Sequence, residues 1–226
     1  MNKTLIVLAL SAQACASAWA AQPLLSPAQL QPLLQQSDVR IIDIRDPKSF
    51  ADGHIAQAVS APYGKWRGPA TNPGELPDQP KLVELVQTLG LTPATHAVVI
   101  SSGADATDFG ATARVYWTLK SLGLKELSIV NGGMKAWQAA GQTVTEQVIK
   151  VSPSNYAPSF DAQWLATRQD VKQHLDLSNA ALVDSRPDAF YQGKTRAPAA
   201  KLSGTLPGAQ QLDFNQWFVP GTSQFV

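Results

Sequence analysis

Cysteine is all but missing from this sequence. Cys15 is the only one among 226 residues, so no disulfide can close within the chain and no thiolate cluster can hold a metal. Charge is scarce as well: 15% of residues are Asp, Glu, Lys or Arg, and the formal net charge is +1. That leaves no electrostatic footprint for nucleic acid or for an anionic membrane surface. Long apolar runs are also lacking. The run at residues 5–10 is too short to span the ~30 Å of a bilayer's hydrocarbon.

The first twenty residues, "MNKTLIVLALSAQACASAWA", combine Lys3, that apolar run, and small residues ending Ala18-Trp19-Ala20. This is the pattern of a secretory signal peptide over residues 1–20, with cleavage after Ala20. Acylation of Cys15 as a lipoprotein is the weaker reading, since Ala12, Gln13 and Ala14 supply no leucine before it. Cleavage removes Lys3 and Cys15, leaving a mature chain that is neutral and has no nucleophilic thiol. That chain is expected in the periplasm or outside the cell, with no membrane partner. Its 44% hydrophobic content fits a globular protein rather than a disordered one.

Helix and strand signals then alternate. Ser26-Pro27 is a capping hydroxyl followed by proline at the first helical position, opening a helix over "AQLQPLLQQ". "VRIIDIR" (39–45) is a continuous, isoleucine-rich run of the kind found in strands covered on both faces. Residues 80–90 have helical spacing and stop at Gly90. Residues 96–101 predict a second buried strand, 109–123 a helix, 126–133 a third strand and 134–141 a short helix. Such alternation implies an α/β fold, a parallel sheet with helices on both faces. The unit spans residues 26–145. Residues 146–160, which end in Pro/Ser-rich "VSPSNYAPSF" (151–160), read as a linker.

The pattern restarts after the linker. Residues 161–175 predict a helix, and "AALVDSR" (180–186) predicts a strand ending, like "VRIIDIR", in Asp-x-Arg. Asp184-x-Arg186 thus repeats Asp43-x-Arg45, and "GTLPGAQ" (204–210) repeats "GHIAQAV" (53–59). Asp43 and Gly53 are ten residues apart, Asp184 and Gly204 twenty, so an insertion of about ten residues falls in "QGKTRAPAAKLS". One complete domain and a partial second copy over residues 161–226 are expected.

Four ordered segments now stand together: Asp-x-Arg at a strand end, Gly53-His54-Ile55, "GATARVYWTLKSLG" and "LSIVNGGMKAW". They resemble the rhodanese (sulfurtransferase) family, well over residues 26–145 and partially over 161–226. With its leader and two copies, the chain is similar to exported tandem thiosulfate or 3-mercaptopyruvate sulfurtransferases. The resemblance implies a cysteine that takes sulfur from a small anionic donor as a persulfide and passes it to a thiol or to cyanide. It implies no cofactor and no metal. The family's cysteine opens the loop after the second long strand, where converging N–H groups and a helix N-terminus lower the thiol pKa and hold an anion. In copy one that position is Ser102, which forms no stable persulfide and has no base beside it to act as a serine nucleophile. Asp105 and Asp108 add negative charge to the same loop. Copy one is therefore read as non-catalytic. Gly53 and Ser102 are 49 residues apart. The same spacing from Gly204 places the thiol at about residue 253, so the chain is expected to be C-terminally truncated from roughly 280–290 residues.

Asp43, Arg45, Asp184 and Arg186 are assigned structural roles, each carboxylate–guanidinium pair fixing the loop at its strand's end. His54 is read as a packed core histidine, with Thr205 as its counterpart in copy two. The resemblance puts donor-binding arginines after the second Asp-x-Arg, where Phe190 stands instead. Lys194, Arg196 and Lys201 of the insertion are the candidates to hold the donor's anionic end. A different class is a non-enzymatic rhodanese-like module that binds a partner or sulfur carrier. A Cys-x5-Arg phosphatase is disfavoured by loop length and the missing thiol, and a serine hydrolase by the lack of a G-x-S-x-G elbow. A partial copy two would leave apolar surface uncovered, and the chain is expected to associate through it.

Overall fold

The β-branched runs become the central strands of a parallel sheet. In a computed structural model, which describes residues 21–177 and 179–226, copy one runs as follows. It comprises β1 (Leu24–Leu25), α1 (Pro27–Leu30) with a 3-10 turn (Gln31–Gln35), β2 (Val39–Asp43), α2 (Pro47–Ala51) and β3 (Ala58–Ser60). A 3-10 turn (Tyr63–Trp66) leads to α3 (Gln79–Thr88), β4 (His96–Ile100), α4 (Ala106–Ser121), β5 (Leu127–Val130) and α5 (Gly133–Ala139). A 3-10 turn (Ala162–Trp164) then precedes α6 (Arg168–Leu177), β6 (Val183–Asp184), α7 (Asp188–Tyr191), β7 (Gln210–Gln211) and a last 3-10 turn (Phe214–Trp217). The signal peptide expected over residues 1–20 lies outside the described residues.

The first sheet has the order β1-β5-β4-β2-β3, every pair parallel. Successive residues of the central strands point to opposite faces, so each face has its own core. Ile41, Val98 and Ile100 pack with Leu30, Phe50, Ile55 and Trp137 on one side. Ile42 and Val99 pack with Trp66, Leu82, Val86, Val115 and Leu119 on the other. Both faces are covered, which is why these strands read as unbroken apolar runs.

Three elements differ from the sequence expectation. The first helix keeps its capping box of Ser26 with Gln29 but tightens to 3-10 geometry after Leu30, because Pro32 has no N–H to continue the α ladder. The helix expected over 161–175 begins only at Arg168. Thr167 N–H donates to Asp170 Oδ2 (2.7 Å) and Asp170 N–H to Thr167 Oγ1 (3.2 Å), a reciprocal cap that sets the start there. Before it, Trp117 Nε1 donates to the Trp164 carbonyl (2.9 Å) and ties the segment to α4. Third, β6 is two residues long instead of seven and pairs only with β7, since one neighbour sustains less ladder than the two that β2 has.

The linker is a belt along copy one. Thr145 pairs with His54, Ser154 N–H donates to the Gln87 carbonyl (2.9 Å), and Asp161 N–H donates to the Ser121 carbonyl. Tyr156 Oη donates to the Leu122 carbonyl (2.7 Å), and Tyr156 and Phe160 pack against the core. Among the described residues no helix is long and apolar enough to cross a membrane.

Candidate functional site

The loop that leaves β4 is built around one carboxylate. Asp108, in the first turn of α4, accepts from Ser101 Oγ (2.7 Å), Gly103 N–H (2.7 Å) and Ala104 N–H (3.2 Å). Its own N–H is capped by Asp105 Oδ1 at 2.9 Å. The loop also threads past the end of β5, where Met134 N–H donates to the Ser101 carbonyl and Lys135 N–H to that of Ser102. Glycine is required at this crossing. A Cβ on Gly103 (φ +83°) would stand 2.0 Å from the Gly132 carbonyl oxygen, in a backbone conformation that side chains rarely adopt. N–H groups that could hold an incoming anion are thus already satisfied by Asp108. Ser102 lies exposed beside them, and among the described residues its hydroxyl makes no hydrogen bond.

The two Asp-x-Arg motifs have the same geometry. Arg45 Nη2 lies 2.6 Å from Asp43 Oδ2 and donates to the Gly53 carbonyl (2.8 Å). Arg186 Nη2 lies 2.5 Å from Asp184 Oδ2 and donates to the Gly204 carbonyl (2.7 Å). The strand registers repeat too: Asp43 faces Ser60, and Asp184 faces Gln211. Even the next turn recurs, with Tyr63 N–H on the Ile44 carbonyl and Phe214 N–H on that of Ser185. Surroundings differ. The first pair is buried, whereas the Arg186 side chain is 46% exposed. The Arg186 guanidinium, helped by the Thr205 hydroxyl, still holds the Asp184 carboxyl well below the usual carboxylate range. His54 is fully buried, stacked on Phe50, with its ring nitrogens 2.9 and 3.2 Å from the carbonyl oxygens of Phe50 and Gln147.

Lys194, Arg196 and Lys201 are not brought to a cavity. All three are exposed, and the Arg196 guanidinium donates to the Ala200 carbonyl of its own loop. The cleft that sequence reasoning missed lies between α4 and the segment that follows β7. It encloses about 510 Å³, with Phe109 and Gly110 of α4 on one wall, Phe214, Trp217, Phe218 and Phe225 on the other, and Arg67 at its rim. Phe109 meets Phe218 edge-on at 5.0 Å, and Trp217 stacks on Phe225 at 6.1 Å. The signal was available in "FNQWFVPGTSQF", whose Phe214 and Trp217 repeat Tyr63 and Trp66. Among the described residues no group of three or more His, Cys, Asp or Glu side chains is placed to hold a metal ion.

The rhodanese-like domain family matches residues 26–140, half of the chain. The chain belongs to the rhodanese family. Its rhodanese relatives include a thiosulfate sulfurtransferase of Pseudomonas aeruginosa, 29% identical over 87% of this chain and 70% of that protein. A 3-mercaptopyruvate sulfurtransferase of Rattus norvegicus is 26% identical over 88% of this chain and 68% of its own. The Escherichia coli 3-mercaptopyruvate sulfurtransferase SseA shares the fold, with a TM-score of 0.72 at 21% identity, covering 89% of this chain and 78% of that one. The chain spans 61% to 70% of the length of such curated relatives.

Proposed function

We propose that this rhodanese-family chain is part of an exported sulfurtransferase that moves sulfane sulfur from thiosulfate, or 3-mercaptopyruvate, to a thiol or cyanide. The reaction would run through a cysteine persulfide. With thiosulfate, the thiolate attacks the outer sulfur and sulfite leaves; attack by cyanide then releases thiocyanate and returns the thiolate. The only cysteine in the 226 residues is Cys15, so the reacting thiol is assigned to a segment beyond Val226. The observation that carries this reading is the contrast between the copies. In copy one β2 has β4 on its second edge, and β4 delivers a loop closed by Asp108. In copy two, among the described residues, β6 has no second neighbour, and the aromatic wall of Phe214 and Trp217 faces a cleft instead of a helix. Copy one then serves as a fixed wall, and the active loop belongs to copy two.

The test is to sequence the coding frame past Val226 and assay the complete product for thiocyanate formation from thiosulfate and cyanide. A loop cysteine near the predicted position, turnover, and a mass increase of one sulfur after thiosulfate treatment are expected. The 226-residue chain alone should be silent. One observation favours a second reading: Asp108 occupies the anion cradle, as suits a module that binds without turnover. A frame with no cysteine, and a product that forms no thiocyanate, would put that reading in its place.

A further inference from the structure

The strap that lies on β5 starts with an unusual bond. From Ala21 onward the chain is held residue by residue: Ser128 Oγ donates to the Gln22 carbonyl (2.6 Å), Ile129 N–H to that of Pro23 (2.8 Å), and Asn131 N–H to that of Leu25 (2.9 Å). Those contacts belong to a parallel edge strand and its lead-in. The first contact does not. The Ala21 nitrogen donates to a carboxylate, Glu126 Oε2, at 2.5 Å. Glu126 is half-buried and makes no ion pair among the described residues. His96 feels the charge of both Glu126 and Asp38, and burial holds its imidazole toward the neutral form. A half-buried carboxylate with no cation is an unfinished arrangement.

We propose that hydrolysis of the Ala20–Ala21 bond completes it, and that Glu126 is the seat of the new α-ammonium. Water adds across the amide, Ala20 leaves as a carboxylate, and the Ala21 nitrogen becomes an ammonium at neutral pH. The inference rests on the export reading and on the Ala18-Trp19-Ala20 cleavage pattern. Processing then does more than remove the leader: it places a cation at the acid that immediately precedes β5, clamping β1 to the sheet. A cut one residue earlier or later misplaces the charge.

The experiment exports the 226-residue chain from a bacterial host, measures the intact mass of the product, and labels its α-amine with limiting acetic anhydride near pH 7. An N-terminus at Ala21 is expected, with labelling about threefold slower than in Glu126→Gln, because pairing keeps the amine protonated. Glu126→Gln should lower Tm by about 2 °C, and acetylation of both proteins should abolish that difference. A chain started in the cytoplasm as Met-Gln-Ala21 keeps its methionine, carries its ammonium two residues early and should melt with Glu126→Gln. A product still beginning at Met1, or at any residue other than Ala21, overturns the export site and this proposal together. An Ala21 terminus with equal labelling rates overturns the docking alone. None of these measurements reads sulfur transfer, so the catalytic reading stands or falls separately.

Discussion

Asp43 and Asp184 each accept from the backbone N–H, Nε and Nη2 of the arginine two residues on, Asp184 from the Thr205 hydroxyl as well, yet their worth differs with burial. Asp43 is fully buried and Arg45 nearly so. Asp43→Asn leaves a guanidinium uncompensated inside the protein and should cost about 3–5 kcal/mol in urea unfolding. Asp184→Asn, beside a half-exposed Arg186, should cost about 1 kcal/mol or less. The pH dependence carries a definite sign. Arg186 holds the Asp184 carboxyl below its unfolded value of about 3.9. Its stabilising contribution is therefore complete above about pH 5, shrinks as pH falls through the unfolded value, and vanishes below the folded one. Melting curves from pH 6 down to pH 2 should fall more steeply for the wild type than for Asp184→Asn. Equal slopes would show that the pair is not formed in solution.

At the scale of elements, the repeated 3-10 turn makes the sharpest comparison. Trp66 is fully buried between β2 and the helices α3 and α4, while Trp217, its repeat, is 44% exposed. Trp66→Ala should destabilise by about 3–5 kcal/mol through a large cavity, and Trp217→Ala by less than about 1 kcal/mol. Denaturant midpoints of the two variants decide it. The same contrast explains what was legible in the sequence. Ile41-Ile42 and Val98-Val99 announced strands covered on both sides, and the Asp-x-Arg repeat announced two strand ends with matching hydrogen bonds. The two-residue β1 and three-residue β3 were not legible, because so few residues have no period and their partner strands are distant in sequence. The insertion's cations drew attention for their charge, although the loop turns them to solvent. Asp108 shows in the sequence as negative charge alone; that it accepts the Gly103 and Ala104 N–H groups depends on the path of the loop, which no sequence pattern announces.

For the whole molecule, the open edge of β6 is the dominant feature. Val183 beside it is exposed, as are Leu202 and Leu206 along the adjoining groove. Unpaired strand edges next to apolar side chains are templates for association. The 226-residue chain should therefore self-associate as its concentration rises, with light scattering reporting masses above the monomer. A single monomeric species at high concentration would mean that copy two has closed its edge by some rearrangement.

The belt from Thr145 to Asp161 bears on how the chain meets proteases. Its backbone groups bond to Gln87 and Ser121 and its Tyr156 hydroxyl to the Leu122 carbonyl, so it cannot lift into an extended substrate without breaking a row of bonds. The inserted loop around Lys194, Arg196 and Lys201 is tied back, among the described residues, by a single backbone bond, Thr195 N–H to the Ala189 carbonyl (3.1 Å), and offers three exposed basic residues to trypsin. Digestion should begin there, inside copy two, and leave the junction between the copies uncut: the connection that composition marks as weakest is, in the folded chain, the one sewn down.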